Sequence, residues 1–134
     1  MAKLSIIEGI GESYEYKLNE LGIKSLKSFL EAGKTKTGRV ELSQKSDISE
    51  KLILTWINHA DLMRVKGIGG EFAEILEAAG VDTVPELARR NAVNLVAKIK
   101  EVNENNKLVR RVPTVNMVES WINQAKDLPR VIEY

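Results

Sequence analysis

A glycine-bearing segment that occurs twice constrains this chain more than any other feature. Displaced by 58 residues, Ile7-Glu-Gly-Ile-Gly-Glu-Ser-Tyr14 aligns with Val65-Lys-Gly-Ile-Gly-Gly-Glu-Phe72. The correspondence runs on through Leu18 and Leu76, Gly22 and Gly80, Ile23 and Val81, Ser25 and Thr83, and Leu26 and Val84. Further along, the displacement grows to 65 residues and Trp56-Ile-Asn58 meets Trp121-Ile-Asn123. Self-similarity at a fixed period marks a chain assembled from copies of one supersecondary unit. The expectation is a tandem duplication packed as one compact helical domain, with residues 1–62 the first repeat and 63–134 the second.

Both repeats read as helix. Tyr14, Leu18 and Leu21 fall on one helical face, and Phe72, Leu76 and Ala79 repeat the spacing. Gly22 and Gly80 stand where a left-handed residue stops a helix, each followed by an apolar residue able to pack back on the last turn. Ser25 and Thr83 are N-cap candidates, and Thr83-Val-Pro-Glu86 has the form of a capping box with a tolerated early proline. Ser49 is placed to cap a helix through Leu62, its apolar stripe being Leu52, Ile53, Trp56, Ile57 and Ala60. Thr114 is placed to cap its counterpart, with Met117, Val118, Trp121, Ile122 and Ala125 facing inward. Residues 38–45 and 92–105 are expected to be helical as well, and Pro113 and Pro129 break the few strand-like runs. The predicted class is all-α.

Composition narrows the function classes. The 134 residues include no cysteine, which removes a disulfide framework, a thiolate metal site and a cysteine nucleophile together. The N-terminal apolar run is broken by Glu8, unlike a signal peptide, and no run approaches the ~20 apolar residues of a membrane helix. A cytoplasmic protein with no membrane partner is expected. Lys and Arg number 20 against 19 Asp and Glu, and neither half is strongly basic. That balance does not match a body gripping many phosphates at once.

The chemistry of the Gly-Ile-Gly turns is mainly steric. A tight connection into a helix needs a positive φ or close approach, and glycine supplies both. The intervening Ile10 or Ile68 is expected to plug the core. Behind the second glycine a helix begins, so its unpaired N–H groups form a concave, partly positive nest suited to a phosphate oxygen.

Val65-Lys-Gly-Ile-Gly-Gly-Glu-Phe-Ala-Glu-Ile-Leu76, followed by Ala-Ala-Gly-Val-Asp-Thr-Val84, resembles the helix-hairpin-helix motif of DNA-repair proteins, polymerases and ligases. Over nearly its full length the chain is similar to a bacterial family of tandem helix-hairpin-helix proteins catalogued as a domain of unknown function. Gly38-Arg-Val-Glu-Leu42, Ile48-Ser-Glu-Lys-Leu52, Trp56-Ile-Asn58, Ala60-Asp-Leu-Met-Arg64 and Leu128-Pro-Arg130 carry that similarity. The wider motif implies hairpin amides that contact DNA phosphates without reading bases, in some members with a monovalent cation on the hairpin carbonyls. No cofactor is predicted here. By position, the implied contacts are Gly9, Ile10 and Gly11 in the first repeat and Gly67, Ile68 and Gly69 in the second. Where DNA-gripping versions commonly place Lys or Arg, this chain has Glu12 and Glu15, or Glu71 and Glu74. Glu8 also precedes the first turn, whereas Arg64 and Lys66 flank the second, which is therefore the better phosphate candidate.

Other features are read as packing or solvated charge. Lys34, Lys36 and Arg39 form an acid-free loop cluster, and Lys107, Arg110 and Arg111 a second. Gly33-Lys34-Thr35 lacks the earlier glycine and preceding strand of a phosphate loop. The helix after Ser49 shows core residues where a recognition helix would need polar ones. His59, the single histidine, matches Gln124 in the second repeat, so no metal site and no catalytic residue is assigned. Trp56 and Trp121 are expected to anchor the two half-cores. The expected activity is non-catalytic, sequence-independent binding to the DNA phosphate backbone, with no small-molecule substrate. The alternative is a protein-interaction or scaffold module in which the hairpins are structural.

Overall fold

A computed structural model describes residues 3–134. Two compact units make up the chain: residues up to Asp61 together with Val131–Tyr134, and Leu62–Arg130. The short C-terminal tail thus clusters with the first unit, with Glu133 donating its amide to the Lys34 carbonyl at 2.7 Å. No strand occurs among the described residues.

The first unit opens with a 3-10 turn, Leu4–Ile6, and continues through α1 (Glu12–Glu20), α2 (Leu26–Gly33), α3 (Lys36–Ser46) and α4 (Glu50–Leu62). The second contains α5 (Gly70–Ala78), α6 (Val84–Ala88), α7 (Ala92–Asn106) and α8 (Val115–Asp127). No helix among the described residues is long and apolar enough to cross a membrane.

Local chemistry sets most helix ends. Ser25 accepts from the Ser28 amide at 3.1 Å and donates its own amide to the Ser28 hydroxyl at 3.1 Å, a reciprocal capping box. Thr35, Ser49, Asn91 and Thr114 cap α3, α4, α7 and α8 through the backbone amide three residues on. α1 and α5 stop by one device: Gly22 (φ 83°) and Gly80 (φ 95°) are left-handed. The Ile23 and Val81 amides reach back to the Leu18 and Leu76 carbonyls, at 3.0 and 2.8 Å.

Three expectations are corrected. Thr83 precedes α6 but makes no capping hydrogen bond; its hydroxyl instead lies 3.4 Å from the Glu86 carboxylate. Leu52 and Met117, expected on the apolar stripes, are exposed. The segment holding Lys34, Lys36 and Arg39 is not a loop but the junction of α2 with α3, and α3 begins two residues before the expected position 38. Gly33 and Gly38 allow this tight junction, abutting the Ile57 side chain and the Ala32 carbonyl respectively.

The cores are mainly aliphatic, with one indole each and Phe29 in the first. In the second unit α8 presents Val118, Trp121, Ile122 and Ala125 at helical spacing and packs on α6 and α7, while α5 packs on α7. Leu76, Val81, Leu87, Leu95 and Ile99 complete its buried cluster. In the first unit Leu18, Phe29, Ile53, Trp56 and Ile57 are buried. Each such side chain removed from water contributes roughly 1.5–3 kcal/mol before its entropy cost.

Candidate functional site

Each Gly-Ile-Gly turn is built from the same backbone bonds. In the second, the Val65 amide donates to the Leu62 carbonyl and the Ile68 amide to the Val65 carbonyl, at 3.1 and 3.2 Å. In the first, Ile7 donates to Leu4 and Ile10 to Ile7, at 3.0 and 3.1 Å, and the numbering differs by 58 throughout. Ile10 and Ile68 are buried plugs, 4% and 5% exposed. Their amides close the turn, so they face inward as donors. Gly67 and Gly69 remain, and their amides make no hydrogen bond among the described residues.

The two glycines of a turn serve different ends. Gly67 has φ 100°, and Gly9 has φ 96°, a region that side chains avoid. Gly69 and Gly11 sit at the N-caps of α5 and α1 with φ −99° and −89°, which any residue adopts. A Cβ at either position would meet nothing within 4 Å. Neither strain nor packing therefore requires glycine there. Its effect is to leave the start of a helix without a capping side chain and with its backbone open to an approaching group.

An aromatic pair backs each turn. Phe72 and Trp121 lie with ring centroids 5.1 Å apart, tilted 52°, and Tyr14 and Trp56 lie 5.0 Å apart at 61°. A Cβ at Gly67 would stand 2.8 Å from Trp121 Nε1, and one at Gly9 would stand 3.1 Å from Trp56 Nε1.

The flanks differ. Lys66 is exposed, and its peptide groups are held by Gln124, whose Oε1 accepts from the Lys66 amide at 2.9 Å. The Gln124 Nε2 donates to the Lys66 carbonyl at 3.1 Å. Sequence reasoning did not mark Gln124 as a clamp; the available signal was its place one turn beyond Trp121 on the same helix. Arg64 is half-buried and its guanidinium donates to the Pro129 carbonyl at 2.8 Å. It therefore ties the end of α8 to the start of the unit. In the first unit Glu15 turns away from the helix start and accepts from the Ser5 amide at 3.2 Å, capping the 3-10 turn. Glu12 and Glu71 are exposed in the first turns of α1 and α5.

The two basic clusters differ in the same way. Lys34 is paired with Glu31 at 2.7 Å, and that hydrogen bond, reinforced by the carboxylate charge, holds its pKa above the ordinary lysine value. Arg39 is 5% exposed and donates to the Gly33 and Glu133 carbonyls, at 2.9 and 2.8 Å. It works inside the first unit. Arg110 and Arg111 are exposed, beyond the left-handed Lys107 that ends α7. His59 is buried at 2% exposure, and no three metal-ligating side chains converge among the described residues.

No curated protein and no solved structure matches the chain. A family model matches residues 8–128, a span holding both Gly-Ile-Gly turns, both glycine helix stops and both tryptophans, and the chain belongs to that family, described as a domain of unknown function (DUF4332).

Proposed function

We propose that this protein is a non-catalytic accessory factor that binds nucleic acid without base specificity, through phosphate contacts at the Gly67–Gly69 turn. The observation that supports the reading best is Gly69 itself, a glycine that the fold's sterics do not demand, at an uncapped helix start. Lys66 adds an exposed positive charge two residues before Ile68. The resemblance of Val65–Val84 to the helix-hairpin-helix motif points the same way, and with it to a bacterial cytoplasmic setting. Glu71 opposes an incoming phosphate and the charge balance is near neutral, so binding is expected to be modest and strongly salt-dependent. The first turn, with Glu8 and Glu12, is assigned a packing role.

The test is a titration of labelled duplex DNA, with single-stranded and nicked forms alongside, at about 50 mM and about 200 mM salt. Lys66→Glu is the informative variant, because Lys66 is exposed and only its backbone is engaged by Gln124. Wild type binding at low salt and Lys66→Glu losing most of that binding is the expected outcome. No duplex binding at low salt overturns the reading and leaves the scaffold alternative, which the exposed Glu12 and Glu71 beside the turns favour.

A further inference from the structure

We propose that the connection between α7 and α8, residues 107–114, is a second contact to the nucleic-acid backbone, in which the guanidinium groups of Arg110 and Arg111 engage phosphates separately from the Gly67–Gly69 turn. The inference rests on the nucleic-acid reading above, but not on that turn being its contact.

Three observations carry it. The connection is longer than the junction needs. In the first unit α3 and α4 are joined by residues 47–49, whereas α7 and α8 are joined by residues 107–114. Both connections begin on a left-handed residue, Asp47 (φ 61°) or Lys107 (φ 49°), and both end on the hydroxyl that caps the next helix, Ser49 or Thr114. The added length lies between those fixed points and holds both arginines.

The loop is also held in one shape. The Asn103 side chain donates from Nδ2 to the Val109 carbonyl and accepts at Oδ1 from the Val109 amide, both at 3.0 Å. Val109 is 7% exposed and Pro113 is buried, so the backbone is anchored on either side of the two arginines. Arg110 and Arg111 are exposed on that anchored backbone, and a backbone already ordered loses little freedom on binding.

Finally, no carboxylate neutralises the cations. The side chains of Lys107, Arg110 and Arg111 make no hydrogen bond or ion pair among the described residues. No Asp or Glu occurs from position 105 to 118, in a chain whose net charge is only +1. The loop turns cations outward and no exposed apolar side chain, which suits a phosphodiester backbone better than the apolar centre of a protein interface. α8 sets the spacing of the two contacts. From Thr114 to Gln124, which holds Lys66, is ten residues, about 15 Å of helix, a span over which a duplex carries several phosphates on each strand.

The bland alternative is solvated loop charge. Arg110→Ala with Arg111→Ala separates the two, since both side chains are exposed and the Asn103 clamp is untouched. Duplex affinity at about 50 mM salt is expected to fall about tenfold, and the slope of log affinity against log salt to become shallower by about 2, roughly one for each phosphate released. The far-UV circular dichroism and melting temperature are expected to stay as in wild type. Lys24→Ala with Lys51→Ala removes the same charge from exposed positions in the first unit and is expected to leave the slope unchanged. A wild-type slope in the arginine variant, or an equal loss in the lysine variant, overturns the inference; if Lys66→Glu still abolishes binding, the turn reading survives without it. Loss in the arginine variant with none in Lys66→Glu keeps the loop and removes the turn. Polyglutamate bound as tightly as duplex at the same salt, through the same arginines, reassigns the loop to an acidic protein segment and overturns the inference. Wild-type protein that binds no duplex overturns both.

Discussion

Gln124 grips the second Gly-Ile-Gly turn by both polar groups of one residue, accepting from the Lys66 amide at 2.9 Å and donating to the Lys66 carbonyl at 3.1 Å. The amide side chain mimics a strand partner and fixes the residue that leads into Gly67. Gln124→Ala removes both bonds to Lys66 and a long 3.5 Å contact to the Ser120 hydroxyl at a partly exposed site, so a cost of about 1 kcal/mol in urea unfolding is expected. The same change is expected to weaken duplex binding although residue 124 carries no charge, because the Lys66 side chain loses its fixed origin. Gln124→Glu retains the acceptor and loses the donor, and an intermediate cost is expected. Equal stability for wild type and both variants would remove the clamp from the account.

Gly67 and Gly69 are two residues apart, and alanine is expected to have different consequences at them. Gly67→Ala forces a side chain into φ 100° and sets its Cβ 2.8 Å from Trp121 Nε1. A cost of roughly 1–3 kcal/mol for the backbone alone follows, with more from the contact. Gly69→Ala meets open space at an ordinary φ, so only the preference of an N-cap for glycine over alanine is lost, a cost of about 1 kcal/mol or less and well below that of Gly67→Ala. Its effect should fall on binding, where the new methyl stands at the mouth of the helix start. Thermal unfolding and duplex titration of the two variants give this contrast directly. A Gly69→Ala protein as unstable as Gly67→Ala would show that glycine 69 is structural.

The helices and their glycine stops were legible because their causes are local. Leu18, Gly22 and Ile23 lie within five residues of one another, and the same holds for Leu76, Gly80 and Val81. The burial of Trp56 and Trp121 was legible too, since each sits in an apolar stripe. What escaped were partners distant in sequence. Arg39 looked like a surface cation among lysines, because nothing near it reveals that the Glu133 carbonyl, 94 residues away, receives its guanidinium. Arg64 flanks the turn in sequence, and nothing near it reveals that the Pro129 carbonyl, 65 residues on, accepts from its guanidinium at 2.8 Å. Gln124 aligns with His59, a correspondence that says nothing of its peptide partner 58 residues away. Thr83 failed as a capping box for a different reason: the signature fixes residue types but not the rotamer that the hydroxyl adopts.

That last failure yields a paired prediction. Ser25 is a true reciprocal cap, so Ser25→Ala is expected to cost about 1 kcal/mol. Thr83 occupies the matching position but makes no capping bond, and Thr83→Val preserves its shape. A cost well below that of Ser25→Ala is expected, with the weak 3.4 Å contact to Glu86 the only hydrogen-bonding interaction lost. Urea midpoints for the two variants are sufficient. Equal costs would mean that the Thr83 hydroxyl caps α6 in solution.

The C-terminal tail offers the largest predicted effect. Arg39 emerges from α3, 5% exposed, and its two terminal nitrogens donate to the Gly33 and Glu133 carbonyls at 2.9 and 2.8 Å. Its guanidinium also lies 5.9 Å from the Tyr134 ring centroid, and the Tyr134 hydroxyl lies 3.3 Å from Asn58 Oδ1. Ile132, 2% exposed, adds apolar burial to the same segment. Arg39→Met keeps the aliphatic stem and abandons both carbonyls, so a loss of roughly 2–4 kcal/mol is expected. Arg39→Lys should recover only part of it, since one ammonium cannot reproduce two forked donors. The Glu133 amide, bonded to the Lys34 carbonyl at 2.7 Å, is the local probe. Its hydrogen exchange is expected to accelerate in Arg39→Met by more than that of the α8 amides, because the tail belongs to the first unit and α8 to the second. Uniform acceleration across both would mean that Arg39 contributes to global stability without holding the tail in place.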